Sequence, residues 1–200
     1  MSKVRVAIEA TAVYFIVLLV VFTAHMRFFR VSVVLYATIF DAFGAAVITL
    51  VIVLAARRLG VLNSFEKGLL AVVWILIGYA FAISGPTVID RSLSFYILEK
   101  LQQRGGGIRL ERFEDVFTEE YVHEHRLVDV RLTEQIASGT IRLEGDCVRL
   151  TLRGARLASF SRWFRQNLLP ANRLLMGQYS DDLTDPFRGT QPTTPDYTCP

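Results

Sequence analysis

At 200 residues, 52% hydrophobic and 20% charged, with a mean hydropathy of +0.37, the chain is too apolar on average for an ordinary water-soluble domain. A net charge of +3 raises nucleic acid or anionic lipid as partners, but residues 91–168 hold 13 Lys and Arg against 11 Asp and Glu, which argues against a strong phosphate-binding surface there. Cys147 and Cys199 lie far apart with no C-x-x-C pair, which excludes a disulfide-stapled small scaffold, and both are expected as free thiols.

Up to Ile89 the chain is long apolar runs with charges only in short gaps, and from Asp90 acids and bases arrive every few residues. The break divides the chain into a membrane anchor (1–89), a folded polar domain (90–169) and a tail (170–200). Three runs, at about 6–25, 31–56 and 68–86, approach the ~20 apolar residues that cross ~30 Å of hydrocarbon. The first follows Lys3 and Arg5 like a signal peptide, but it is long and has Phe22 where a cleavage site after Ala24 wants a small residue, so it is read as retained. The third is expected to end at Ser84-Gly85-Pro86, where proline after glycine breaks a helix. Loop charges do not orient the spans: Lys3, Arg5, Arg57, Arg58 and Lys67 lie on one side, and Arg27, Arg30, Arg91, Lys100 and Arg104 on the other.

Asp41 is the one charge inside the second run, where an unpaired carboxylate costs a few kcal/mol or takes up a proton. It is expected to make an intramembrane polar contact, with Tyr14, Tyr36 or Tyr79 as partner, or to serve as a relay if the protein is a transporter component. Gly44, Ala45 and Ala46 offer close approach to a partner helix.

In the polar part, Asp90 is expected to cap a helix over 91–103 with Leu93, Ile97, Leu98 and Leu101 on one side, ended by Gly105-Gly106-Gly107. Leu110–Val122 offers a second helix, with Leu110, Phe113, Val116 and Phe117 on its apolar face. His125–Ser138 offers a third, stopped by Gly139. Alternation around Glu144-Gly145-Asp146 reads as a β-hairpin, and Gly154 opens a last helix through Leu157, Phe160, Trp163 and Phe164 to Leu168.

The run Leu132-Thr-Glu-Gln-Ile136-Ala-Ser-Gly139-Thr-Ile141, followed by Cys147-Val-Arg-Leu150-Thr151-Leu-Arg-Gly154, resembles the recognition helix, wing and final-helix entry of winged helix-turn-helix domains. The resemblance covers about residues 91–168. It implies a mainly α protein: three transmembrane helices and a small winged-helix-like α+β domain with one β-hairpin. It further implies an interaction face at His125, Arg126, Asp129, Arg131 and Glu134 on the third helix, with Arg142 and Arg149 on the wing, directed to DNA or to protein. Glu119, Glu120, Glu124, Asp129, Glu134, Glu144 and Asp146 oppose DNA, whose binding rests on phosphate neutralisation, and the connection between the second and third helices reads as longer than the usual tight turn. The last helix and its end interleave Arg156, Arg162, Arg165 and Arg173 with Leu157, Phe160, Trp163, Phe164, Leu168 and Leu169, a pattern able to rest on a membrane surface. The resemblance assigns its apolar face to the domain core instead. Cytoplasmic placement of this domain also comes from the resemblance.

His123-Glu124-His125 points its histidines to nearly opposite sides of a helix and lacks a third spaced ligand, and the glycines after Arg104 lack a Walker pattern. No nucleophile, metal or paired-acid motif is present, so no catalytic residue, cofactor or metal is expected. The proline-rich tail is expected to be extended or disordered, with Leu174, Leu175, Met176, Tyr179 and Phe187 as anchors for a partner. The leading expectation is therefore a non-catalytic accessory subunit of a bacterial-type inner-membrane complex that docks a protein partner. The alternatives are a membrane-tethered DNA-binding regulator and a transporter component using Asp41.

Overall fold

The computed structural model describes residues 2–56, 58–189 and 199. Expectations placed on Arg57, on 190–198 and on Pro200 lie outside the described residues. The chain divides into two compact units, Met1–His125 and Arg126–Pro200.

The first unit begins with three helices long and apolar enough to cross a membrane: α1 (Lys3–Phe28), α2 (Val34–Ala55) and α3 (Ser64–Ala82). Their β-branched content would be unremarkable in a sheet, but in hydrocarbon every backbone group needs an internal partner, and only the helix supplies one segment by segment. The Ser2 hydroxyl accepts from Arg5 N, and Asn63 and Glu66 form a reciprocal capping box, so α3 starts four residues before the expected Gly68. Lys3 and Glu66 pair at 2.8 Å, joining the starts of α1 and α3 on one side of the bundle.

The helices meet along four-residue ridges, Val6, Ala10, Tyr14 and Leu18 on α1 and Leu70, Trp74, Gly78 and Ala82 on α3. Between them α2 presents the small residues Ala42, Ala45 and Ala46, so Ala45 and Ala46 close the bundle from inside, while Gly44 faces open space. Gly78 is the point of closest approach: a Cβ there would fall 2.5 Å from Ala42 Cβ and would strike the Tyr14 hydroxyl. Large side chains such as Phe40, Val47, Leu69 and Leu76 face outward.

Pro86 does not end the third helix. A π-helical turn at Ile83–Thr87 carries it, and the helix continues as α4 (Val88–Arg91). Proline lacks an N–H and clashes with the carbonyl four residues back, and the wider π turn relieves both problems. Ser92, not Asp90, then caps α5 (Leu93–Gln103), its hydroxyl accepting from Phe95 N. The buried face of α5 is Tyr96 and Lys100; Leu93 and Leu98 are exposed. Leu110–Glu124 is one helical run, comprising a 3-10 turn (Leu110–Arg112), α6 (Phe113–Asp115), a π segment (Val116–Tyr121) and α7 (Val122–Glu124). Val116 is buried, whereas Leu110 is exposed.

The second unit holds α8 (Leu127–Ala137), the hairpin β1 (Ile141–Glu144) and β2 (Cys147–Leu150), α9 (Leu152–Asn167), and a second hairpin, β3 (Arg173–Leu175) and β4 (Gln178–Ser180). Only His125 and Arg126 separate α7 from α8, because Arg126 takes a left-handed conformation (φ 45°), so the backbone turn is shorter than its polar residues suggested. Gly139 at φ 69° ends α8 as expected, and Gly145 at φ 58° occupies the first central position of the two-residue turn joining β1 and β2. Thr151 ties the unit together: its hydroxyl donates to Gly139 and Thr140 carbonyls at 2.8 and 3.0 Å and accepts from Gly154 N to cap α9. The second hairpin was expected as extended chain. Met176 and Gly177, both at positive φ, supply a two-residue turn that composition alone does not reveal.

Two further expectations fail here. Cys147 and Cys199 are not free thiols: they form a disulfide, with Cα atoms 6.0 Å apart, a proximity that spacing along the chain does not encode. The apolar side chains of α9 do not enter a core, since Leu157, Phe160 and Trp163 are each at least half exposed.

Candidate functional site

Three arrangements of polar groups stand out. The first lies within the bundle. Asp41, 2% exposed on α2, has its Oδ1 2.6 Å from His25 Nδ1 on α1, so one proton is held between them. Its Oδ2 is buried with no hydrogen-bond partner among the described residues. Because α2 starts at Val34, Asp41 lies seven residues, about 10 Å, from the helix start, closer to the middle of the helix than to its end. None of the three tyrosines expected as its partner plays that role. Tyr14 is buried and directs its hydroxyl to the Ala42 carbonyl at 3.5 Å, and Tyr36 and Tyr79 are about half exposed. Histidine was missed because it stands at the very edge of the first run, at about 6–25, whereas α1 continues to Phe28 and keeps His25 in the helix beside Asp41. Nearby, Trp74 stacks on Tyr14 with ring centroids 5.6 Å apart and donates from Nε1 to the Thr11 hydroxyl at 3.1 Å.

The second arrangement joins α5 to the helical run 110–124. Lys100, 5% exposed, sits 2.6 Å from both Glu120 and Glu124; Arg104 reaches Glu120 at 2.8 Å, and the Tyr96 hydroxyl donates to Glu124 at 2.9 Å. The two carboxylates hold the Lys100 ammonium well above the usual lysine range, and Lys100 in turn holds Glu120 and Glu124 below the usual carboxylate range. Burial, reinforced by the Glu124 hydrogen bond, pushes Tyr96 up to about 12. The His125 ring packs against Tyr96 and Tyr121 at 5.1 and 4.9 Å, so this residue of the expected interaction face is engaged with its own unit. The signal was present as two ladders of i,i+4 spacing, Tyr96-Lys100-Arg104 and Glu120-Glu124, which only the chain reversal between them aligns.

The third arrangement is the expected interaction face in the second unit. Arg126 pairs with Asp129 at 2.8 Å and Arg131 with Glu134 at 2.7 Å, one turn apart along α8. Arg142 and Arg149, opposite each other across the hairpin, both reach Glu144 at 2.8 Å. Every arginine of that face thus has an acidic neighbour. On the other face of the hairpin Leu143 sits opposite Val148, and in the second hairpin Leu174 sits opposite Tyr179; all four are exposed. Leu175, Met176 and Phe187 are exposed as well. Two acids of this tail, Asp181 and Asp182, are held internally. Arg188 grips Asp181 with both guanidinium nitrogens at 2.7 Å, which lowers that carboxyl below its usual range, and the Ser180 hydroxyl, together with Arg188 at 2.7 Å, lowers Asp182 likewise.

No group of three or more His, Cys, Asp and Glu side chains gathers at metal-binding distances among the described residues. No protein-family model, characterised protein or solved structure matches this chain, and the geometry of these residues alone carries the functional reading.

Proposed function

We propose that this is a non-catalytic, multi-pass protein of a bacterial-type inner membrane whose polar C-terminal part docks a protein partner, as an accessory subunit of a larger membrane assembly. The observation that carries the reading is the two exposed apolar cross-strand pairs, Leu143 with Val148 and Leu174 with Tyr179, in a unit whose α8 charges are already neutralised. Exposed apolar pairs on hairpins favour burial against another protein surface. The same ion pairs weigh against duplex DNA, because an arginine tied to a carboxylate displaces few counterions from phosphate. The winged-helix-like character of residues 91–168 belongs to this proposal. It is supported by the order of helix, helix, helix, hairpin and helix and by the Thr151 cap on α9. A transporter role gains less support, since the buried carboxylate of Asp41 is tied to His25.

The side of the bilayer is part of the proposal too. The winged-helix resemblance favours the cytoplasm, but the Cys147–Cys199 disulfide favours an oxidising compartment, and we weigh the covalent bond more heavily. With three spans, the N-terminus then faces the cytoplasm. Copurification of the full chain in mild detergent is expected to bring down one reproducible partner, lost when Leu143 and Leu174 become Asp; a lone monodisperse monomer refutes the docking role. An alkaline phosphatase fusion after Pro200 is expected to be active, and an inactive one alongside a fluorescent cytoplasmic reporter returns the unit to the cytoplasm.

A further inference from the structure

We infer that α9 lies on the surface of an anionic bilayer, holding the second unit against the membrane that its own spans occupy. The helix is arranged inside out for a water-soluble domain. Gly154, where any Cβ would strike the Thr140 carbonyl and sit 2.8 Å from Leu150, turns the small-residue side of α9 to the first hairpin, with Ala155, Ala158 and Ser159 bordering the cleft beside Leu150. The large side chains Leu152, Phe160, Phe164 and Leu157 therefore fall away from it, with Trp163 at the margin where it also borders that cleft; the five together cover about 140° of arc at 3.6 residues per turn, and all are exposed. Such a face would stand in water at a cost of about 25 cal/mol for every Å² left uncovered.

Charge decides what covers it. From Cys147 to Ser180 the chain contains no acidic residue and six arginines, Arg149, Arg153, Arg156, Arg162, Arg165 and Arg173. Arg153, Arg156, Arg162 and Arg165, all on α9, have no acidic partner among the described residues, in contrast to the paired arginines of α8 and the first hairpin. Arg153 and Arg156 rise from the apolar side itself, where a guanidinium on a flexible stem reaches headgroup phosphates while the stem and the neighbouring rings enter the acyl boundary. A protein groove deep enough to bury the five apolar residues would have to supply carboxylates for both arginines. An anionic leaflet offers hydrocarbon and phosphate in one plane, and the three spans keep it at high local concentration.

The inference rests on membrane insertion and not on the partner proposed above, so copurification results leave it untouched. Its test uses the full chain reconstituted into phosphatidylcholine vesicles, with or without phosphatidylglycerol, each carrying acyl chains brominated near the headgroup. Trp163 emission is obtained as the difference between the native chain and Trp163→Phe, which leaves Trp74 as a constant background. The expected result is quenching of Trp163 by bromolipid in phosphatidylglycerol vesicles, weakened by salt and in phosphatidylcholine alone. Arg153→Gln with Arg156→Gln should lower the bound-to-free ratio roughly 25-fold, taking about fivefold per arginine near an anionic surface. A Trp163 that acrylamide quenches freely in phosphatidylglycerol vesicles overturns the inference. So does one shielded from acrylamide and bromolipid alike, which would place α9 against protein.

Discussion

Replacing Gly78 with alanine tests the packing of the bundle at its tightest point. An alanine Cβ there would sit 2.5 Å from Ala42 Cβ and 3.4 Å from Ala42 Cα, against an ordinary carbon contact of about 3.5–4.0 Å, so α2 must retreat by about 1 Å or more. Ala42 has no torsion by which to step aside, and on the other flank the Tyr14 hydroxyl must leave its place near the Ala42 carbonyl, disturbing the stack on Trp74. Overpacking of this kind costs about 1–3 kcal/mol. The helix propensity gained from losing a glycine does not offset it, because a membrane helix keeps its backbone bonds even when the bundle opens. Gly44→Ala is the matched control: its Cβ meets nothing within 4 Å, and the expected change is within about 0.5 kcal/mol. Both variants, on a Trp163→Phe background, would be titrated with sodium dodecyl sulfate from mild detergent while Trp74 emission is followed. Gly78→Ala should open at clearly lower dodecyl sulfate than Gly44→Ala. Identical midpoints would refute the convergence of α1, α2 and α3 at Gly78.

In the same titration, His25→Leu leaves a 2%-exposed carboxylate without its partner and should cost about 3–5 kcal/mol, whereas His25→Leu with Asp41→Leu should recover most of the loss; equal midpoints for single and double variants would show that the pair is not coupled. The Lys100 cluster sets a pH window. Glu120 and Glu124 titrate below their usual 4.5, so their stabilisation is complete above about pH 4.5 and is lost as pH falls through the lowered values. Lys100 titrates above its usual 10.5, so its share is complete below that pH and is lost as pH rises through the raised value. Thermal unfolding of the native chain should therefore lose midpoint at both extremes, and a Lys100→Met variant should show a flatter profile; matching profiles would argue that the cluster is marginal. Cys147→Ser opens a cross-link spanning 52 residues, worth about 4 kcal/mol by chain entropy, and should lower the unfolding midpoint reported by Trp163 as dithiothreitol does; no change in either would mean the bond adds nothing to this unit.

Where one physical requirement governs a stretch of chain, the residues announce it. Hydrocarbon thickness demands long apolar runs, so all three candidate spans were legible, as were the Gly139 stop and the Gly145 turn, whereas the last helix opens at Leu152 under a Thr151 cap, two residues before the expected Gly154. Where two distant segments must meet, the residues announced only half of each contact. Asp41 was conspicuous, but its partner His25 stands at the last position of the first run, and the continuation of α1 to Phe28 that keeps it in the helix is held by backbone bonds with no polar marker. Lys100 and the two glutamates looked like solvated charges until the reversal of the chain set their ladders face to face. The disulfide and the inverted burial of α9 share that origin. Tertiary structure decided them because pairing across a fold depends on where backbones approach, as Gly154 and Thr140 do, and hydrophobic periodicity records which side of a helix is apolar without recording which side is covered.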